Sequence, residues 1–185
     1  MHPLLSYRLL RHAPISYDIA FTPSARTVVD RIKRAPVPAI TLAQPATEPP
    51  IPASSHLLLR SPKLPWVVIV KRSLTPNNIF IGKRPQPRKT TTSVTLTNLD
   101  VLYAVHGTLM NRVTPEEWAS LGEGSRAQRR VAQAYKERCT RMGGGWEKGV
   151  VRLDWLGPKT HFMGVRVEKN KETGVYAGRL VFGKG

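Results

Sequence analysis

Residues 124–145, GSRAQRRVAQAYKERCTRMGGG, concentrate the side chains best placed to act through charge. Stepped at 100° per residue, Ala127, Val131, Ala134, Tyr135, Cys139 and Met142 share one broad face. Arg126, Arg129, Arg130, Lys136 and Arg141 fall mostly around the rest. Guanidinium and ammonium groups at such spacing can grip a phosphate backbone, neutralising its anions and releasing counterions. The same pattern also serves a plain solvated helix, with Arg138 and Arg141 complementing the dipole in the last turn. Arg126, Arg129 and Arg130 crowd the opposite end, where a cation opposes the dipole at about 0.3–1 kcal/mol when exposed. A second basic run, KRPQPRK, offers Lys83, Arg84, Arg88 and Lys89 as phosphate contacts or a nuclear-localisation patch, or as a solvated loop.

Other chemistries find little support. His2, His12, His56, His106 and His161 never pair at a spacing of three or four, and Cys139 stands alone, so no zinc or iron–sulfur pattern exists and no cofactor is expected. Cys139, His161 and Asp154 are the single conceivable nucleophilic set, but Cys139 falls on the apolar face of a helix, where a free cysteine packs as a small hydrophobe. No nucleophile elbow, phosphate loop or dinucleotide fingerprint is present. The glycines of GGGW follow a helix rather than precede one, so they read as a stop. Asp154, between Leu153 and Trp155, requires a partner if buried, with Arg152 or Lys159 nearest in sequence. His106 and the four tryptophans, Trp66, Trp118, Trp146 and Trp155, read as packing residues. An enzyme is not expected.

The net charge of +17 exceeds the magnitude of about 2–8 that solubility asks of a small domain. A field of that sign favours a polyanion, RNA or DNA in the first place, or else an acidic protein. The lone cysteine forms no internal disulfide and points to a reducing, intracellular setting, cytoplasmic or nuclear. No apolar run is long enough to span a bilayer, and integral membrane association is not expected.

Two halves must position these residues. Residues 1–92 hold fourteen of the sixteen prolines and one of the fourteen glycines, with a net charge of +11; residues 93–185 carry the remaining +6. Proline-dense sequence suits short strands and irregular wrapping, predicted here at 15–21, 39–43, 56–60 and 65–71. PWVVIVK, 65–71, reads as a strand buried on both faces. Residues 43–55 read as an extended surface linker, and 82–93 as a mobile loop. In the second half, Thr97 with Asp100 opens a helix that runs to about Met110, and Thr114, Pro115 and Glu117 open another over 114–121. Ser125 with Gln128 opens a third, which Gly143 stops. Residues 160–183 alternate on either side of a turn at Asn170–Gly174, a hairpin.

The order HPLL, YDIAF, LAQPATEPPIP, LPWVVIV, VTLTNLDVLYAVHGTL, VTPEEWASL, RRVAQAYKERC and KGVVRLDWLGPKTHFMGV resembles an uncharacterised domain family of basidiomycete fungi. That resemblance extends over residues 1–168 and implies no activity and no catalytic residue.

The expectation is therefore a single α+β domain. Its antiparallel sheet would contain 65–71, 150–156, 160–168 and 174–182, with about three helices packed on one face and an irregular proline-rich N-terminal half. Its function would be that of a non-enzymatic basic binding module for a polyanion, with a protein-interaction scaffold or an unrecognised enzyme as alternatives.

Overall fold

The computed structural model describes residues 1–7, 13–24, 26–72, 95–169 and 176–185. The fold is α+β. Among the described residues, seven strands form two sheets: β1 (Ile15–Ser16), β2 (Val29–Asp30) and β3 (Ala35–Pro36) in one, and β4 (Leu57–Arg60), β5 (Val68–Val70), β6 (His161–Lys169) and β7 (Tyr176–Gly183) in the other. The helices are α1 (Ala39–Leu42), α2 (Asn98–Leu109), α3 (Pro115–Ala119) and α4 (Arg126–Met142). The first sheet runs β1-β2-β3 and the second β5-β4-β7-β6.

The larger sheet is mixed rather than antiparallel. β6 and β7 pair antiparallel along their length, as the alternating sequence predicts, but β7 lies parallel to β4, with Leu59 opposite Gly178. A parallel neighbour demands a long crossover, here the whole helical segment between β5 and β6. The predicted hairpin turn, Asn170–Gly174, lies outside the described residues.

Residues 150–156 are not a strand. Arg152–Leu156 winds into a 3-10 helix because the Asp154 carboxylate accepts from the Val151 N–H at 2.9 Å, tying the chain back on itself. Residues 39–43 are not a strand either. The Pro38 carbonyl accepts from the Thr41 and Leu42 amides, starting the single helical turn of α1, and Asn98 of α2 donates to the Thr41 carbonyl at its far end. Tertiary contacts outweigh β-propensity here. β5 is half-buried: Val68 and Val70 point inward while Ile69 is exposed, because that face of the sheet is uncovered, as Leu58 opposite it on β4 also shows. Residues 43–55 are more than a surface linker. Pro45 and Pro52 bridge to Thr97 and Thr95, and Ala46 is buried beneath them.

The caps follow the sequence closely. Thr97 and Asp100 form a complete capping box on α2, as Thr114 and Glu117 do on α3. Val101, Leu102, Val105 and Leu109 are the buried stripe of α2. The core is one cluster drawn from both halves of the chain, from Leu5, Ile15, Tyr17 and Ile19 to Leu153, Phe162 and Phe182. The N-terminal segment closes the β6 edge: Val165 donates to Leu5, Tyr7 donates to Val165, and Phe162 donates to Tyr17.

Candidate polyanion interface

Helix α4 is a peripheral element. Its inward residues, Gln128, Val131, Ala134, Arg138 and Cys139, are buried, yet none belongs to the main core cluster. The helix packs chiefly on the 3-10 helix Arg152–Leu156. Both its ends are fixed by local chemistry. The Ser125 hydroxyl accepts from the Gln128 amide at 3.0 Å. The Gln128 side chain accepts from Gly124 N–H at 2.9 Å and donates to the Trp118 carbonyl at 3.0 Å, binding the start of α4 to the end of α3. At the other end Gly143 takes the left-handed conformation, φ 67°, and Gly144 donates back to Cys139, the expected C-terminal stop.

The strongest tether is Arg138. Its Nε donates to Asp154 Oδ1 at 2.8 Å, and a second nitrogen donates to Oδ2 at 3.2 Å and to the Gly149 carbonyl at 3.0 Å. Both side chains are buried. Asp154 therefore finds its partner on α4, and neither Arg152 nor Lys159 plays that part. Burial works against the Arg138 charge, but the carboxylate outweighs it and holds the guanidinium pKa above its ordinary value. Cys139 beside it has no exposed surface, and Asp154 is engaged by Arg138 and Val151 N–H. The Cys139–His161–Asp154 set thus has neither an accessible thiol nor an uncommitted carboxylate.

Arg152 instead completes a cluster at the far side of the 3-10 helix. It bonds Glu117 at 2.6 Å and stacks over the Trp66 ring at 4.8 Å, while the Trp66 indole donates to the same carboxylate oxygen at 2.5 Å. Trp155 meets Trp66 edge to face at 5.1 Å. Burial acts to raise the Glu117 pKa, but its bonds to Arg152, Thr114 and Trp66 prevail and hold it below the usual range. The cluster locks the segment leading into β5, α3 and the 3-10 helix together.

The outward face of α4 is different. Arg126, Arg129, Arg130, Lys136 and Arg141 are all exposed, within an arc of about 140°. Arg141 is held by Asp18 and lies over the Phe21 ring. Arg129 donates to the Gly124 carbonyl at 2.8 Å, a contact that leaves its charge unneutralised. Among the described residues, Arg126, Arg130 and Lys136 have no ion-pair partner. The one acid on this face, Glu137, accepts from Gln133. Near the C-terminal end of the helix, Trp146 is half-exposed and abuts Tyr135 edge to face, so it is not a core residue; Met142 is also partly exposed. Lys83, Arg84, Arg88 and Lys89 lie outside the described residues.

A second basic cluster carries no sequence signal. Lys63, Arg166 and Arg179 line a cleft beside β6 and β7, and the Lys159 charge acts on Lys63 from nearby. These residues come from two loops and two strands, and no local run announces them.

Among the described residues, no group of three or more His, Cys, Asp or Glu side chains is placed to hold a metal, and no helix is long and apolar enough to cross a membrane. Residues 15–174 match the family of unknown function DUF6699, and the chain belongs to that family. No characterised protein and no solved structure shows significant similarity to it.

Proposed function

We propose that the protein is a non-enzymatic intracellular binding module for a polyanion, RNA or DNA. The observation that carries this reading is the outward face of α4, where Arg126, Arg129, Arg130 and Lys136 project into solvent without a carboxylate partner among the described residues. The face offers no apolar anchor among these cations, and an apolar or aromatic anchor is what most protein interfaces are built around. A phosphate backbone requires only positive charge at suitable spacing. Lys83, Arg84, Arg88 and Lys89 would extend the contact. The exposed Trp146 ring offers a surface on which a base of a single strand could stack. The ordered motifs from HPLL to RLDWL support a fungal origin, and the lone buried Cys139 suits a reducing compartment, cytoplasmic or nuclear.

The runner-up is an acidic protein partner. Phe21, Met142 and Trp146, each partly exposed around the C-terminal end of α4, would supply its anchors. Titration of labelled RNA and DNA over a salt series separates the two. Nucleic-acid binding gives a steep dependence on salt that α4 charge removal flattens, and an acidic protein partner leaves all the nucleic acids unbound at low salt.

A further inference from the structure

The cleft between the Ser61–Lys63 turn and the ends of β6 and β7 has no role in the α4 reading. It has a volume of about 180 Å³ and is lined by Ser61, Pro62, Lys63, Arg166 and Arg179 together with Leu180, Val181 and Phe182. Three features of its charge are unusual.

Arg60, Arg179 and Arg166 sit directly opposite one another across β4, β7 and β6, so they form one row on one face of the sheet. Like charges in that relation destabilise a sheet. Lys159 stands near enough to Lys63 for the two ammonium charges to repel each other. Burial first, and then Lys159 and Arg179, hold the Lys63 pKa below its ordinary value. Finally, no acid lines the cleft. Glu168 reaches the two arginines, at 3.3 Å from Arg179 and 3.7 Å from Arg166, and neutralises one charge of the group. The fold thus gathers cations from separate elements at a local electrostatic cost, around a concavity.

We propose that this cleft is a binding site for a single phosphoryl group, either a free phosphate or the terminal phosphate of an oligonucleotide. Its volume lies below the range of about 300–1,000 Å³ typical of sites for whole organic ligands, which suits one tetrahedral anion. Arg166 and Arg179 present forked donors to phosphate oxygens, and Lys63 and Lys159 act as point charges that the anion would bridge. A bound dianion converts their mutual repulsion into shared attraction. The site is independent of α4.

The test is calorimetric titration of the full chain with inorganic phosphate at constant ionic strength, for the native protein and for Lys63→Gln/Lys159→Gln. Saturable binding is expected, weakened at least about tenfold in the double variant. Arg129→Ala/Arg130→Ala should bind phosphate as the native chain does, so that failure here and failure of the α4 reading remain distinct. The melting temperature of the unliganded Lys variant should equal or exceed the native value, because a repulsion has been removed; this also certifies its fold. Anisotropy with 5′-phosphorylated and 5′-hydroxyl oligonucleotides then separates the sources. Preference for the phosphorylated strand, lost in the Lys variant, identifies a terminal phosphate; equal affinity for both, with phosphate still binding, identifies the free anion. No saturable phosphate binding, or an unchanged Kd in the Lys variant, overturns the proposal.

Discussion

Arg138 and Asp154 form a buried, two-pronged ion pair that fastens α4 to the 3-10 helix, with Nε–Oδ1 at 2.8 Å. The pair holds in place a helix whose outer face carries unneutralised charge and whose inner face lies outside the main core. It is therefore the structural base of the proposed interface.

Removing one member leaves the other buried and uncompensated. Arg138→Ala should destabilise the protein by about 3–5 kcal/mol. Asp154→Ala should cost at least as much, since it also frees the Val151 N–H. The Arg138→Ala/Asp154→Ala double variant should lose less than the sum. Urea denaturation of the three variants measures this.

The arginines at the start of α4 oppose the helix dipole. Arg126→Ala, in the first turn, should leave stability unchanged or raise it by about 0.3–1 kcal/mol, and Arg130→Ala, a turn further in, should leave it unchanged, while both weaken nucleic-acid binding. Thermal melts and binding isotherms on the same samples check both halves of that statement. A stability gain with a binding loss is the signature of charge kept for function.

Acid should destabilise the protein in two windows. Burial, helped by Lys148 and opposed by the hydrogen bond to the Ile19 carbonyl, holds the His106 pKa below 6.5. The unfolded chain then binds a proton that the folded chain refuses, so stability falls as pH drops below about 6.5 and levels off beneath the folded value. Burial acts to raise the Asp18 pKa, but its bonds to Ala20 N–H, Arg141 and Thr160 prevail and hold it below the usual carboxylate range. Its contribution is present above the unfolded carboxyl pKa of about 3.9 and is lost as pH falls through the folded value. His106→Gln should abolish the upper window and leave the lower one, as denaturation midpoints between pH 3 and 8, about the titration range of both groups, would record.

Gly164 sits where the N-terminal segment crosses β6, at φ 125° and a register irregularity. A Cβ there would meet the Leu5 carbonyl oxygen at 2.8 Å and the Tyr7 amide at 2.9 Å. Both are backbone atoms and cannot rotate away. Gly164→Ala should cost about 1–3 kcal/mol and loosen the segment on β6, which amide exchange at Tyr7 would report.

What the sequence made legible follows the range of the interactions. Thr97, Thr114, Ser125 and Gly143 announce helix ends because a cap is satisfied within a few residues. The β6–β7 pairing is likewise visible in the alternation of both strands. Asp154 shows the limit. Its carboxylate turns the local chain into a 3-10 helix, and its partner sits sixteen residues away, where only the packing of α4 makes the choice. The parallel β4–β7 contact joins residues more than a hundred positions apart and has no local signature. The site divides in the same way. The α4 cations form a periodic run that can be read directly, whereas Lys63, Lys159, Arg166 and Arg179 meet through tertiary folding alone.

The measurement that bears most directly on the central claim is fluorescence anisotropy with labelled single- and double-stranded RNA and DNA, titrated across salt. Arg126, Arg129, Arg130 and Lys136 of α4 should contribute about −3.6 to the log–log slope on duplex DNA, at about 0.9 per phosphate contact, and Arg129→Ala/Arg130→Ala should flatten the slope by about 1.8. An unchanged slope in that variant, or no binding of any of these nucleic acids at low salt, would contradict the assignment of α4 as a phosphate-binding surface.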